Sequence, residues 1–220
     1  MLPLLVFDYD GTIHDTMNLY ARSVNAAVDW LREVHGYERS YPEIKELRAY
    51  LGMNVPEMWE VFAPFANSSV REAGGRFISD KMMEIFEVEG PRWYEGARDC
   101  LVRLKNYGFS MIVVSNTVTN QAKEHWNHFK MDKFFDGFYD SESYNYIPKG
   151  EILMSLLDDR GSNNAIMIGD RIHDKEAAGL NNIPFIGVTY GFALEGELDD
   201  AEVLVNTPSE IFDACLKLSQ

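Results

Sequence analysis

Asp8 and Asp10 stand two residues apart in Asp8-Tyr9-Asp10-Gly11-Thr12, directly after the apolar run Leu4-Leu5-Val6-Phe7. Side-chain direction alternates along extended chain, so the two carboxylates point roughly the same way. Like charges held together repel and need a cation or a shared proton. Gly11 lets the backbone turn sharply and approach a ligand closely. This combination suits magnesium-assisted attack on phosphorus. A calcium loop of the EF-hand kind does not fit, because its twelfth, glutamate position counted from Asp8 falls on Leu19.

Three further segments carry polar groups at the ends of apolar runs or at helix starts. Met111–Val114 closes in Ser115-Asn116-Thr117, which offers hydroxyls and backbone N–H groups to phosphoryl oxygens and would equally serve as a helix cap. Lys149, in Tyr146-Ile147-Pro148-Lys149-Gly150, begins a helix from which an ammonium can reach a carboxylate cluster. Ile166-Met167-Ile168 ends in Gly169-Asp170, and Asp174 follows at a helix start, where aspartate is also ordinary capping chemistry.

The elements that must position these groups fall into two kinds. Short apolar runs bounded by turn signals read as buried parallel strands: Leu4–Phe7, Met111–Val114, Phe134–Tyr139, Ala165–Ile168, Phe185–Val188 and Val203–Val205. Helical stretches alternate with them at Tyr94–Asn106, Val118–Phe129, Gly150–Leu157, Asp174–Asn181 and Pro208–Leu218, which implies right-handed crossovers and a sheet covered on both faces. Between Asp15 and Glu89 only helices are expected. One covers Thr16–His35 and stops at Gly36. A second opens at Tyr41-Pro42-Glu43 and ends at Leu51-Gly52. A third opens at Val55-Pro56-Glu57, and a fourth spans Ser69–Phe86, weakened by Gly74-Gly75. The fold class is therefore α/β, a doubly wound parallel sheet with an inserted all-helical cap. Residues 1–15 and 90–220 are expected to form the core and residues 16–89 the inserted helical block that caps it.

Net charge is −15 over 220 residues and is spread along the chain, so the surface repels nucleic acid and anionic membrane. Cys100 and Cys215 have no metal-ligand spacing and read as reduced thiols. The apolar start lacks a basic leader and is too short to span a bilayer, so a cytoplasmic protein is expected.

Taken in order, the four polar segments resemble the motifs of the haloacid dehalogenase superfamily of phosphatases. Asp8-Tyr9-Asp10-Gly11-Thr12 is similar to the first motif, with Tyr9 where phenylalanine is commoner. Ser115-Asn116 resembles the second, Lys149 the third, and Gly169-Asp170 with Asp174 the fourth. Asp15-Thr16, Leu47-Arg48-Ala49-Tyr50-Leu51-Gly52, Ala177-Ala178-Gly179 and Tyr190-Gly191-Phe192 look most like phosphoglycolate phosphatase-type members.

The resemblance implies a Mg²⁺-dependent phosphatase of small phosphorylated metabolites that works through an aspartyl-phosphate. Asp8 would be the nucleophile and Asp10 the acid and base. Ser115 and Lys149 would bind phosphoryl charge together with Gly11, Thr12 and Asn116. The metal would sit among Asp8, the backbone carbonyl of Asp10, and Asp170. Asp174 would bind it through water or hold Lys149. Arg48 is the candidate for gripping an anionic substrate group. His125 and His128 read as packing residues, as do Trp30, Trp59, Trp93 and Trp126, while His14 and His173 lie near the motifs. A phosphomutase such as β-phosphoglucomutase would keep the same aspartates. A non-catalytic binding module would have lost one. A monomer or weak homodimer is expected.

Overall fold

The computed structural model describes residues 2–220. Six parallel strands form one sheet in the order β3-β2-β1-β4-β5-β6, with β1 Leu4–Phe7, β2 Met111–Ser115, β3 Gly137–Asp140, β4 Ala165–Gly169, β5 Phe185–Val188 and β6 Val203–Val205. Strand β1 is central because it is apolar on both faces. Leu5 and Phe7 pack into one layer with Leu101, Leu104 and Ile186, and Leu4 and Val6 into the other with Ile152, Leu153 and Ala177. Phe7 is level with Val113 on β2 and Ile168 on β4. Asp8, Ser115 and Asp170 therefore emerge at one carboxyl edge, beside the crevice where strand order reverses.

The helices that cover the sheet are α5 Ala97–Tyr107, α6 Thr119–Phe129, α7 Lys149–Arg160, α8 Ile172–Leu180 and α9 Ile211–Leu218. Strand β3 starts later than the sequence pattern predicts. Phe134 and Phe135 are buried in the turn before it, where they join the same core layer as Phe7, so their hydrophobicity serves the layer and not the ladder.

The first four helices pack into a core of their own. They are α1 Met17–His35, α2 Ile44–Tyr50, α3 Val55–Phe62 and α4 Ser68–Glu89. The second begins three residues later than predicted, since Glu43 and Glu46 form a reciprocal capping box. The fourth is longer than predicted and runs unbroken through Gly74-Gly75. A side chain at Gly74 would collide with the ring of Trp59, which is 1% exposed. Those glycines let α3 and α4 approach closely, and burial of the indole outweighs their poor helix propensity.

The chain crosses between the two cores twice, and the crossings lie side by side. His14 and Trp93 form an antiparallel bridge, flanked by Asp15 N to Arg92 O and Tyr94 N to Ile13 O, both 2.9 Å. Among the described residues no helix is long and apolar enough to cross a membrane.

Candidate active site

Asp8 follows the last residue of β1, and its backbone N–H donates to Ile168 O at 2.8 Å, which fixes its direction. The carboxylate is buried. Its Oδ1 accepts from Lys149 Nζ at 2.6 Å, and its Oδ2 accepts from the Thr12 hydroxyl at 3.3 Å. The ammonium also donates to Asp174 Oδ1 at 2.6 Å. Asp174 Oδ2 accepts in turn from Arg171 N at 3.0 Å. Both oxygens of Asp174 are thus engaged, and it positions Lys149 at the start of α7.

Asp170 is fully buried beside this pair. Its Oδ2 accepts from Phe192 N at 2.6 Å, whereas Oδ1 has no hydrogen-bond partner among the described residues. Three glycines make the arrangement possible. Added Cβ atoms at Gly11 and Gly191 would collide with Asp170, and one at Gly169 with Asp174. Gly11 also holds a φ of 93°, a conformation natural only to glycine.

Oxygens of Asp8, Asp170 and Asp174 all lie within 4.8 Å of one another. Burial pushes the Asp8 carboxyl up to about 7, with Asp174 adding to the rise and Lys149 opposing it. Burial, then Asp8 and Asp174, drive Asp170 well above the usual carboxylate range. Burial disfavours the Lys149 ammonium, but Asp174 and Asp8 outweigh it and hold the charge on. One lysine cannot neutralise three buried carboxylates. The orphaned Asp170 oxygen, the oxygen-only donor set and the excess negative charge fit a hard divalent cation.

Asp10 does not belong to that group. Its Oδ1 lies 2.7 Å from His14 Nδ1, and the carboxylate faces the cavity between sheet and cap. His14 stacks on Tyr9, and the Tyr9 hydroxyl lies 2.7 Å from His125 Nδ1. His125 is buried, packs against Phe86, and takes no part in the carboxylate cluster. Burial, reinforced by His14 and His128, lowers its pKa to about 2.

The remaining candidates are placed as follows. Ser115 is buried, lines the cavity with Asp8, and its Oγ accepts from Thr117 N at 3.3 Å. Gly11 N donates to His14 O and Thr12 N to Tyr9 O, so those amides close the turn and are not free for a phosphate. The Asn116 amide donates to Gly52 O at 2.6 Å, joining core to cap. Arg48 is not brought to the cavity. Its side chain is exposed and lines a separate groove with Lys45, Tyr94 and Glu195, because α2 turns that face outward.

Sequence reasoning missed Arg171 as a connector. It is buried, makes paired bonds to Glu197 at 2.8 and 3.0 Å, and donates to Arg48 O at 2.6 Å. Missed as well were Tyr20 and Gln121, which line the cavity with Thr16 and Thr117; only their clustering in space marks them, and no spacing does.

Comparison with known proteins places the chain in a family. A family model described as haloacid dehalogenase-like hydrolase matches residues 5–188. A 5'-nucleotidase of Pseudomonas aeruginosa is 31% identical over 89% of this chain and 86% of its own length. A phosphoglycolate phosphatase of Agrobacterium fabrum is 24% identical over 86% of this chain and 82% of its own. The crystal structure of a predicted phosphatase from Clostridium acetobutylicum superposes with a TM-score of 0.80 at 27% identity, covering 99% of this chain and 100% of that one.

Proposed function

This chain belongs to the haloacid dehalogenase-like hydrolases and is a phosphatase acting on phosphomonoesters, and we propose that it works through an aspartyl-phosphate on Asp8 with Mg²⁺ as cofactor. The observation that supports this reading is Lys149 Nζ bridging Asp8 and Asp174 at 2.6 Å each, beside an Asp170 oxygen without a partner.

Asp8 Oδ attacks phosphorus, the bond from phosphorus to the ester oxygen breaks, and the departing alcohol takes its proton from Asp10. Asp10, now a carboxylate, removes a proton from water. That water attacks phosphorus, the Asp8–phosphorus bond breaks, and inorganic phosphate leaves with Asp8 restored. Lys149, held by Asp174, and Ser115 face the equatorial oxygens, whose negative charge spreads in the transition state. His14 holds the Asp10 carboxylate toward the cavity. Asp8 and Asp170 would hold the metal with the Asp10 carbonyl, and when bound it neutralises carboxylate and phosphate charge.

The test is phosphate release from p-nitrophenyl phosphate with and without Mg²⁺, for the natural chain and Asp8→Asn. Release that needs both the metal and Asp8 is the expected result. Undiminished release in excess chelator, or from the variant, overturns the mechanism. Interconversion of sugar phosphates without phosphate release would assign a mutase instead.

A further inference from the structure

The cavity between sheet and cap carries information about the leaving group. It has a volume of about 90 Å³, reaches Asp8, Asp10 and Ser115 at its floor, and is roofed by the cap. The roof is apolar and adaptable, with Met58, Ile78 and Met82 among its residues. Among the described residues neither lysine, arginine nor histidine lines it. Arg39, in the cap, donates to the Tyr50 hydroxyl at 2.8 Å and pairs with Glu46; its Nε has no partner among the described residues, but it does not line the cavity.

The same wall holds four buried polar atoms without a hydrogen-bond partner: Thr16 Oγ1, Tyr20 OH, Thr117 Oγ1 and Gln121 Nε2. Buried polar groups are normally paired, and four unpaired ones around one cavity mark a ligand surface. They are three hydroxyls and an amide, so they suit neutral donors and acceptors. A second anionic group brought here would lose its water and find Asp10 and Asp8, and no cation, among the residues lining the cavity.

A larger groove of about 630 Å³ adjoins the cavity and shares Val55, Gly75, Ser79 and Val118 with it. Its two arginines, Arg71 and Arg76, are outnumbered there by Glu60, Glu72, Asp80 and Glu142, so the groove carries net negative charge. A leaving group bigger than the cavity extends into this groove.

Resting on the phosphatase reading above, we infer that the leaving group is uncharged, with an apolar face and several hydrogen-bonding groups. It is nucleoside-like in chemistry, and substrates whose leaving group carries a carboxylate or a second phosphate are rejected. Tyr20 and Gln121 are specificity-determining residues.

The experiment compares kcat/KM across nucleoside 5'-monophosphates, hexose phosphates, phosphoglycolate and pyrophosphate, with p-nitrophenyl phosphate as reference. Nucleoside monophosphates should exceed both charged-leaving-group substrates by at least about tenfold, the loss expected for an unpaired buried charge. A hexose phosphate as good as the nucleotides keeps the neutral chemistry and assigns a sugar as the leaving group. Phosphoglycolate or pyrophosphate turned over as well as the nucleotides overturns the inference while leaving the phosphatase intact. Failure to hydrolyse even p-nitrophenyl phosphate strikes the underlying reading instead.

Two variants check the residues. Tyr20→Phe with Gln121→Leu should lower kcat/KM for the nucleotides by a larger factor than for p-nitrophenyl phosphate. Ile78→Lys should move preference toward phosphoglycolate. Circular dichroism melting confirms that each remains folded, and equal effects on all substrates by both variants count against the assignment.

Discussion

Arg171 donates to the backbone carbonyl of Arg48 at 2.6 Å, so the cap is gripped through its main chain at the residue expected to grip substrate. The paired bonds to Glu197 hold the guanidinium rigid for this role. With Asn116 to Gly52 O at 2.6 Å, it makes a second clasp between core and cap. Arg171→Leu and Asn116→Ala should each raise KM more than they lower kcat, by about tenfold or less, since closure supports binding. Arg48→Ala should leave the ranking of substrates unchanged. Steady-state kinetics on three substrates decides, and a changed ranking in Arg48→Ala would return that side chain to the site.

Metal removal should be visible without turnover. A cation that binds only the folded site adds stability as its concentration rises. Mg²⁺ at about 100 times its dissociation constant should add about 2.7 kcal/mol, read as a higher Tm. Asp170→Asn should lose most of that metal-dependent shift. Ca²⁺ should bind yet inhibit, because its looser coordination misplaces Asp8. An identical Tm with metal and with chelator would sink the cation assignment.

The two aspartates of the first segment should separate cleanly. Asp8→Asn removes the nucleophile and should abolish both turnover and the base-labile phosphoenzyme. Asp10→Asn keeps the nucleophile but removes the proton donor, and should slow turnover by about 10²–10⁴. Rapid-quench trapping tells them apart, since only the Asp10 variant can still form a covalent adduct.

Lys149 is paired with two buried carboxylates, so truncating it leaves uncompensated charge. Lys149→Met should destabilise the fold by about 3–5 kcal/mol in the absence of metal. Added Mg²⁺ should restore part of this, because it supplies the missing positive charge. Urea unfolding with and without the metal measures it, and a stable, metal-indifferent variant contradicts the charge balance.

His125 makes stability depend on pH. Its ordinary value is 6.5 and burial lowers it to about 2 in the folded protein. Between these values the unfolded chain holds one more proton, so stability is complete above 6.5 and falls as pH falls below it. The slope is up to about 1.4 kcal/mol per pH unit. Urea midpoints from pH 7.5 to 5 should fall more steeply for the natural chain than for His125→Gln. Parallel curves would show that His125 is not the source.

The chemistry at the sheet edge was legible because it follows from local rules. An apolar run ending in Asp8, Ser115 or Gly169-Asp170 must deliver those residues to one edge once all the strands are parallel. The cap was legible as helices but not as a surface. Arg48 and Tyr20 both sit on amphipathic helices, and which one faces the cavity depends on how two separate cores dock. Tyr9 shows the same limit. The hydroxyl that distinguishes it from phenylalanine is matched by His125, 116 residues away. Gly74 was read as a weak point in a helix, whereas the Trp59 ring fills the space it leaves.

The bridge between His14 and Trp93 ties the two connecting segments into one short ribbon. A single strand swivels freely, but a two-stranded ribbon bends easily only across its flat face. Movement of the cap on this ribbon would follow one arc. Such an arc would carry Gly52 to Asn116 and Arg48 to Arg171 in one alignment. A motion confined in that way would search a single dimension and lose less entropy than a body on a lone flexible tether.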